Sequence, residues 1–286
     1  MADFVEIVEM APRDGLQNEK RLIPTADKIA LVDALSEAGF GRIEVASFVS
    51  PKWVPQMADG AEVLAGIRRV PGVRYTALTP NLRGFEAARA AGVDEVAIFA
   101  SASEGFSRAN LNCSIAESLE RFDPVMRAAD AAGIPVRGYV SMVTDCPFDG
   151  PTAPAQVARV VAHLRVIGCR EVSLGDTVGR ARPESVIAML AAVVQEMEPA
   201  QLAGHFHDTG GRALENIEAS LAFGLRIFDA AVGGLGGCPY APGAAGNVAS
   251  ERVAAHLQKL GYATGINAAK LERAATCARA LKGGSE

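Results

Sequence analysis

Short β-branched runs alternate with alanine-rich amphipathic stretches along the whole chain, which is the pattern of βα units in a parallel sheet. Eight strands are predicted, at Phe4–Glu9, Arg42–Ser47, Arg74–Leu78, Glu95–Phe99, Val136–Ser141, Glu171–Leu174, Leu202–His207 and Ile227–Val232. Their starts fall roughly thirty residues apart, about one βα unit. Between them, apolar positions recur at helical spacing, as in Ile29, Val32 and Leu35, with glycine stops at Gly39, Gly92, Gly133, Gly168 and Gly224. Ser114 and Glu117 stand at capping-box spacing, and Pro183 takes an early helical position. Eight such units close into a (β/α)8 TIM barrel. A doubly wound open sheet would need a glycine-rich dinucleotide turn after an early strand, and the chain has none.

No linker, low-complexity tract or repeat divides the 286 residues, so 1–286 reads as a single barrel domain. Residues from about 257 to 286 exceed what an eighth helix needs and are expected to pack on the barrel or over part of its mouth.

Composition narrows the partners. With 49% hydrophobic residues, 21% charged residues and a net charge of -5, the chain lacks the basic surface that nucleic acid or an anionic membrane would require. No apolar run reaches the ~18 residues of a membrane span. The five cysteines are scattered with no Cys-x-x-Cys pair, which predicts free thiols, and with no targeting segment at the N-terminus the expected location is cytoplasmic.

The candidate chemistry collects where a barrel puts its active site, at the C-terminal ends of the strands. Residues two apart on a strand face the same way, so His205 and His207 project together while Phe206 turns to the opposite side. Two imidazoles joined by a carboxylate and an amide oxygen, with positions left for substrate, suit octahedral Mg²⁺ or Mn²⁺ better than a closed zinc site. Asp14 at the end of strand one is the favoured carboxylate, and its neighbour Arg13 is suited to hold an oxyanion by paired hydrogen bonds. Glu44, Asp176, Thr177 and Asn247 also fall at strand ends or in the last loop. Cys238, in the stretch Gly233-Gly-Leu-Gly-Gly-Cys-Pro-Tyr-Ala241, could serve as nucleophile, metal ligand or proton donor if that stretch closes over a reaction centre.

The segments Glu9-Met-Ala-Pro-Arg-Asp-Gly-Leu-Gln-Asn-Glu-Lys20, Ser47-Phe-Val-Ser-Pro-Lys-Trp-Val-Pro-Gln56, Ser173-Leu-Gly-Asp-Thr177, His205-Phe-His-Asp-Thr209 and Gly234-Leu-Gly-Gly-Cys-Pro-Tyr-Ala241 resemble the 3-hydroxy-3-methylglutaryl-CoA lyase family nearly end to end. The resemblance implies cleavage of that thioester to acetyl-CoA and acetoacetate, with a divalent cation, Mg²⁺ or Mn²⁺, on Asp14, His205, His207 and Asn247. It also implies an acyl-CoA substrate and a homodimer. Arg13 would meet the thioester oxygen, Asp14 or His205 would move the hydroxyl proton, and Cys238 would protonate the enolate. Glu44 would support metal-bound water or orient a ligand, and Gln17, Asp176 and Thr177 would line the acyl pocket. Two departures, Gly210-Gly211 after the histidine motif and Ser141-Met-Val-Thr-Asp-Cys146, bear on acyl-chain preference. A lyase for a larger 3-branched 3-hydroxyglutaryl-CoA, or a Claisen-type synthase or aldolase on the same barrel, is the alternative.

Overall fold

In a computed structural model, which describes residues 3–237 and 246–282, the strands close into one parallel barrel. They are β1 (Glu6–Glu9), β2 (Arg42–Ser47), β3 (Arg74–Leu78), β4 (Glu95–Ser101), β5 (Val136–Ser141), β6 (Glu171–Asp176), β7 (Leu202–Phe206) and β8 (Ile227–Ala230). Each strand pairs with its sequence neighbours, and β8 pairs with β1 from Glu6↔Ile227 to Glu9↔Ala230. β1 is shorter than its apolar pattern, because Phe4 leaves the barrel for a bridge with Ala263.

The helices are α1 (Thr25–Ala38), α2 (Gly60–Gly66), α3 (Leu82–Ala90), α4 (Glu104–Leu111), α5 (Ile115–Glu120), α6 (Asp123–Ala132), α7 (Pro154–Val166), α8 (Pro183–Val193), α9 (Ala213–Ala222), α10 (Ser250–Lys259) and α11 (Ala268–Leu281). The capping box at Ser114 and Glu117 starts α5, and Gly39 ends α1 at φ 100°, a conformation that costs glycine little. The eighth barrel helix, α10, runs to Lys259, so the surplus chain begins just after it. Its helix α11 packs against α1, burying Leu271, Ala274, Ala275, Ala278 and Leu281. A two-residue antiparallel ladder, Asp145–Cys146 with Gly150–Pro151, interrupts the connection after β5; two pairs are too few to leave a periodic trace in the sequence.

Outward strand faces and inward helix faces form one continuous apolar core. The barrel interior is different. Arg42 of β2, 1% exposed, meets Glu6 of β1 at 2.9 Å, Glu171 of β6 at 3.0 Å and Glu95 of β4 at 3.3 Å. Arg137 of β5 then joins Glu171 at 2.6 Å to Asp229 of β8 at 2.7 Å. Charges with so many partners add little net stability over apolar packing, but removing one partner leaves a buried charge uncompensated, which holds each strand to one register. This ionic column rises toward the C-terminal mouth, where the candidate site lies.

Candidate active site

β1 ends in a short π-type turn, Ala11–Gly15, in which the Met10 carbonyl accepts both Asp14 N–H at 2.8 Å and Gly15 N–H at 3.1 Å. The wide turn sends Arg13 and Asp14 in different directions. Arg13 reaches β2, donating through Nε to Glu44 Oε2 at 2.7 Å, with Nη2 2.6 Å from the same oxygen, and through Nη1 to Asp14 Oδ1 at 2.7 Å. Three of its five N–H bonds are thereby committed, and two remain for a ligand.

His205 and His207 face the same side of β7, ring centroids 5.3 Å apart, while Phe206 enters the apolar core. His207 lies one residue past the strand and forms a bridge with Asn247, whose neighbours extend the pairing: Asp208 N–H donates to Gly246 O at 2.9 Å and Val248 N–H to Phe206 O at 3.2 Å. That bridge brings Asn247 to Asp14, its Nδ2 donating to Asp14 Oδ2 at 2.7 Å. Gly236 and Gly246 cross here at backbone contact. Gly236 holds φ 112°, and a Cβ on it would stand 2.7 Å from Asn247 Nδ2.

One ligating atom from each of Asp14, His205 and His207 lies within 4.8 Å of the others. Both imidazole Nε2 atoms face Asp14 Oδ2, at 4.0 Å for His205 and 3.9 Å for His207, about the separation of donors sharing one cation. Asn247 Oδ1 is buried there with no hydrogen-bond partner among the described residues, an acceptor that a cation would satisfy. Burial would raise the Asp14 carboxyl, but Arg13 and the two imidazoles hold it down at about 2. Burial, with His205 alongside, pushes His207 down to about 4, so its imidazole is neutral at pH 7 and its lone pair is free. An ionised carboxylate, a neutral imidazole and an unused amide oxygen converging on one point form an acceptor set that fits a hard divalent ion.

The other expected positions fall as follows. Gln17 Nε2 donates to Asp14 Oδ1 at 2.9 Å. Glu44 is fully buried beneath Arg13, where its Oε2 also accepts from Tyr139 OH at 3.3 Å, and its Oε1 has no hydrogen-bond partner among the described residues. Asp176 spends its carboxylate on its own loop, accepting from the N–H groups of Gly179, Arg180 and Ala181. Burial pushes it up to about 6 against those bonds. Thr177 Oγ1 accepts from Met142 N–H at 3.2 Å, bracing a residue at φ 60°. Cys238 lies outside the described residues.

Several residues escaped the sequence reading. Asp229 contacts His205 Nδ1 at 3.1 Å, and Tyr139 accepts from Arg137 at 2.9 Å. Glu9 ties three elements together, accepting from Ala11 N–H at 2.8 Å, Val232 N–H at 3.0 Å and Ser250 Oγ–H at 2.6 Å. The available signal was a lone charge inside an apolar strand, as at Asp229 in Phe228-Asp-Ala-Ala-Val232.

The HMGL-like family model matches residues 4–277. A 3-hydroxy-3-isohexenylglutaryl-CoA/hydroxy-methylglutaryl-CoA lyase of Pseudomonas aeruginosa is 59% identical over 263 residues, 92% of this chain and 88% of that one. The solved HMG-CoA lyase of Brucella melitensis superposes with a TM-score of 0.98 at 60% identity, covering 99% of this chain and all of that one. An HMG-CoA lyase of Acinetobacter baumannii, solved with coenzyme A and 3-methylmalate, superposes with a TM-score of 0.94 at 38% identity over 99% of this chain and 92% of that one.

Proposed function

The chain belongs to the HMGL-like family, and from that premise we propose that it is a lyase cleaving 3-hydroxy-3-methylglutaryl-CoA to acetyl-CoA and acetoacetate. The observation that carries the proposal is the acceptor cluster of Asp14, His205, His207 and Asn247 with the Arg13 guanidinium beside it.

The bond between C2 and C3 of the substrate breaks as the C3 hydroxyl loses its proton and becomes the ketone of acetoacetate. Its electron pair passes to C2, giving the enolate of acetyl-CoA, which a proton then quenches. Asp14, His205, His207 and Asn247 hold a divalent cation, Mg²⁺ or Mn²⁺, which when bound acts as a Lewis acid toward substrate oxygens. Arg13 donates its two uncommitted N–H bonds to the thioester oxygen, where negative charge grows as the bond breaks. Asp14 receives the hydroxyl proton, since both ring nitrogens of His205 are engaged, Nδ1 by Asp229 and Nε2 toward the cation position. The Cys238 thiol delivers a proton to C2. Gln17 orients Asp14, Glu44 and Tyr139 aim Arg13, and Asp176 and Thr177 shape the neighbouring wall of the acyl pocket.

An acyl-CoA substrate is supported by the coenzyme A in the Acinetobacter structure. The chain works as one catalytic unit over residues 1–286, as a homodimer in the cytoplasm. Free thiols at Cys113, Cys146, Cys169 and Cys277 suit a reducing compartment, and α11 seated on α1 supports the single unit. Among the described residues no helix is long and apolar enough to cross a membrane.

A coupled assay for acetoacetate and acetyl-CoA tests the proposal. Release from 3-hydroxy-3-methylglutaryl-CoA is expected with Mg²⁺ or Mn²⁺, is abolished by chelator and returns when the cation is restored. No release under any of these conditions refutes it. The 3-isohexenyl analogue, run in parallel, reports the breadth of the acyl pocket.

A further inference from the structure

Of the two imidazoles in the acceptor cluster, His205 has its far nitrogen engaged, and among the described residues His207 does not. Its Nδ1 stands 3.1 Å from Asp229 Oδ2, while its Nε2 faces Asp14. Asp229 is itself held on two sides. Ser173 Oγ–H donates to Oδ2 at 2.7 Å, and Arg137 Nη2 donates to Oδ1 at 2.7 Å. Arg137 is fixed in turn by Glu171 at 2.6 Å and by Tyr139 OH at 2.9 Å. The carboxylate therefore has one orientation. With Arg137 donating to Oδ1 and Ser173 to Oδ2, both carboxylate oxygens act as acceptors, so the hydrogen shared with His205 belongs to Nδ1. A neutral imidazole with its hydrogen on Nδ1 carries its lone pair on Nε2.

We propose that Asp229 is the positioning residue that fixes His205 in the Nδ1–H tautomer and aims its Nε2 lone pair at the cation, withdrawing Nδ1 from proton exchange with substrate. The two histidines are then not equivalent. Among the described residues His207 Nδ1 is buried without a hydrogen-bond partner, whereas His205 is set by a chain of hydrogen bonds running down into the ionic column. As the reading of His205 as a metal ligand is taken from the proposed function, the test separates the two.

The substitution Asp229→Asn inverts the tautomer. Arg137 demands an acceptor on its side, so the amide oxygen turns to Arg137 and the amide NH₂ faces His205, which must then accept at Nδ1 and carry its hydrogen on Nε2. Nitrogen NMR of ¹⁵N-histidine-labelled, chelated protein should show His205 protonated on Nδ1 in the parent and on Nε2 in Asp229→Asn. Mn²⁺ affinity, measured by the electron-spin signal of the free ion, should fall roughly 10–100-fold in Asp229→Asn. It should fall less than about threefold in Ser173→Ala, which keeps the carboxylate and its Arg137 anchor. A parent His205 protonated on Nε2, or Mn²⁺ bound equally tightly by parent and Asp229→Asn, overturns the proposal. The parent spectrum and Ser173→Ala decide the matter even if Asp229→Asn fails to fold, because a purely structural role would lower melting temperature without moving the hydrogen. Failure of the parent to release acetoacetate would refute the lyase reading and leave the tautomer and Mn²⁺ results standing.

Discussion

Replacing Arg13 by glutamine separates the catalytic and structural duties of one guanidinium. Arg13 is 6% exposed and pairs with Glu44, which is fully buried and also accepts from Tyr139, and with Asp14. Breaking a buried pair from one side costs about 3–5 kcal/mol, so Arg13→Gln should melt roughly 6–10 °C below the parent. Catalysis suffers separately. Losing a donor to the developing enolate oxygen typically lowers kcat by about 10²–10³-fold, and Arg13 offers two N–H bonds there. The double variant Arg13→Gln/Glu44→Gln removes the stranded carboxylate and should recover more than half of the lost melting temperature, yet leave kcat as low as in Arg13→Gln. The assays are calorimetry and steady-state release of acetyl-CoA. A kcat within tenfold of the parent in Arg13→Gln, or a kcat that returns with melting temperature in the double variant, would refute the placement of Arg13 at the thioester oxygen.

Other consequences are as direct. Burial pushes Glu9 up to about 7 against three hydrogen bonds. Because the folded state holds that proton more tightly than the unfolded chain, its stabilising contribution is complete below about pH 4.5 and is lost as pH rises through about 7. Glu9→Gln should therefore gain melting temperature relative to the parent between pH 5 and pH 8, and a constant difference across that range would count against it. Gly236→Ala should weaken Mn²⁺ binding about tenfold or more, because a Cβ at φ 112° would strike Asn247 Nδ2; unchanged affinity would show that Asn247 is not a ligand. Cys238→Ala should abolish most acetoacetate release while leaving Mn²⁺ affinity intact, and full activity would exclude the thiol as proton donor.

The sequence alone determined what repeats at short range. Eight β-branched runs at regular spacing imply the barrel, and the two-residue period of a strand is enough to pair His205 with His207, because strand geometry is local. The segments flanking Arg13 and Cys238 carried the family in the same way. Only closure of the barrel decided which distant groups meet. Asp229 lies 24 residues from His205, Glu44 lies 31 from Arg13, and Asn247 lies 233 from Asp14. Local pattern placed Glu44, Asp176 and Thr177 at the mouth, but it could not show that Glu44 braces the Arg13 guanidinium or that Asp176 and Thr177 bond to neighbouring loop backbone. That choice depends on register between strands far apart in sequence, and on where each buried charge finds its counter-charge.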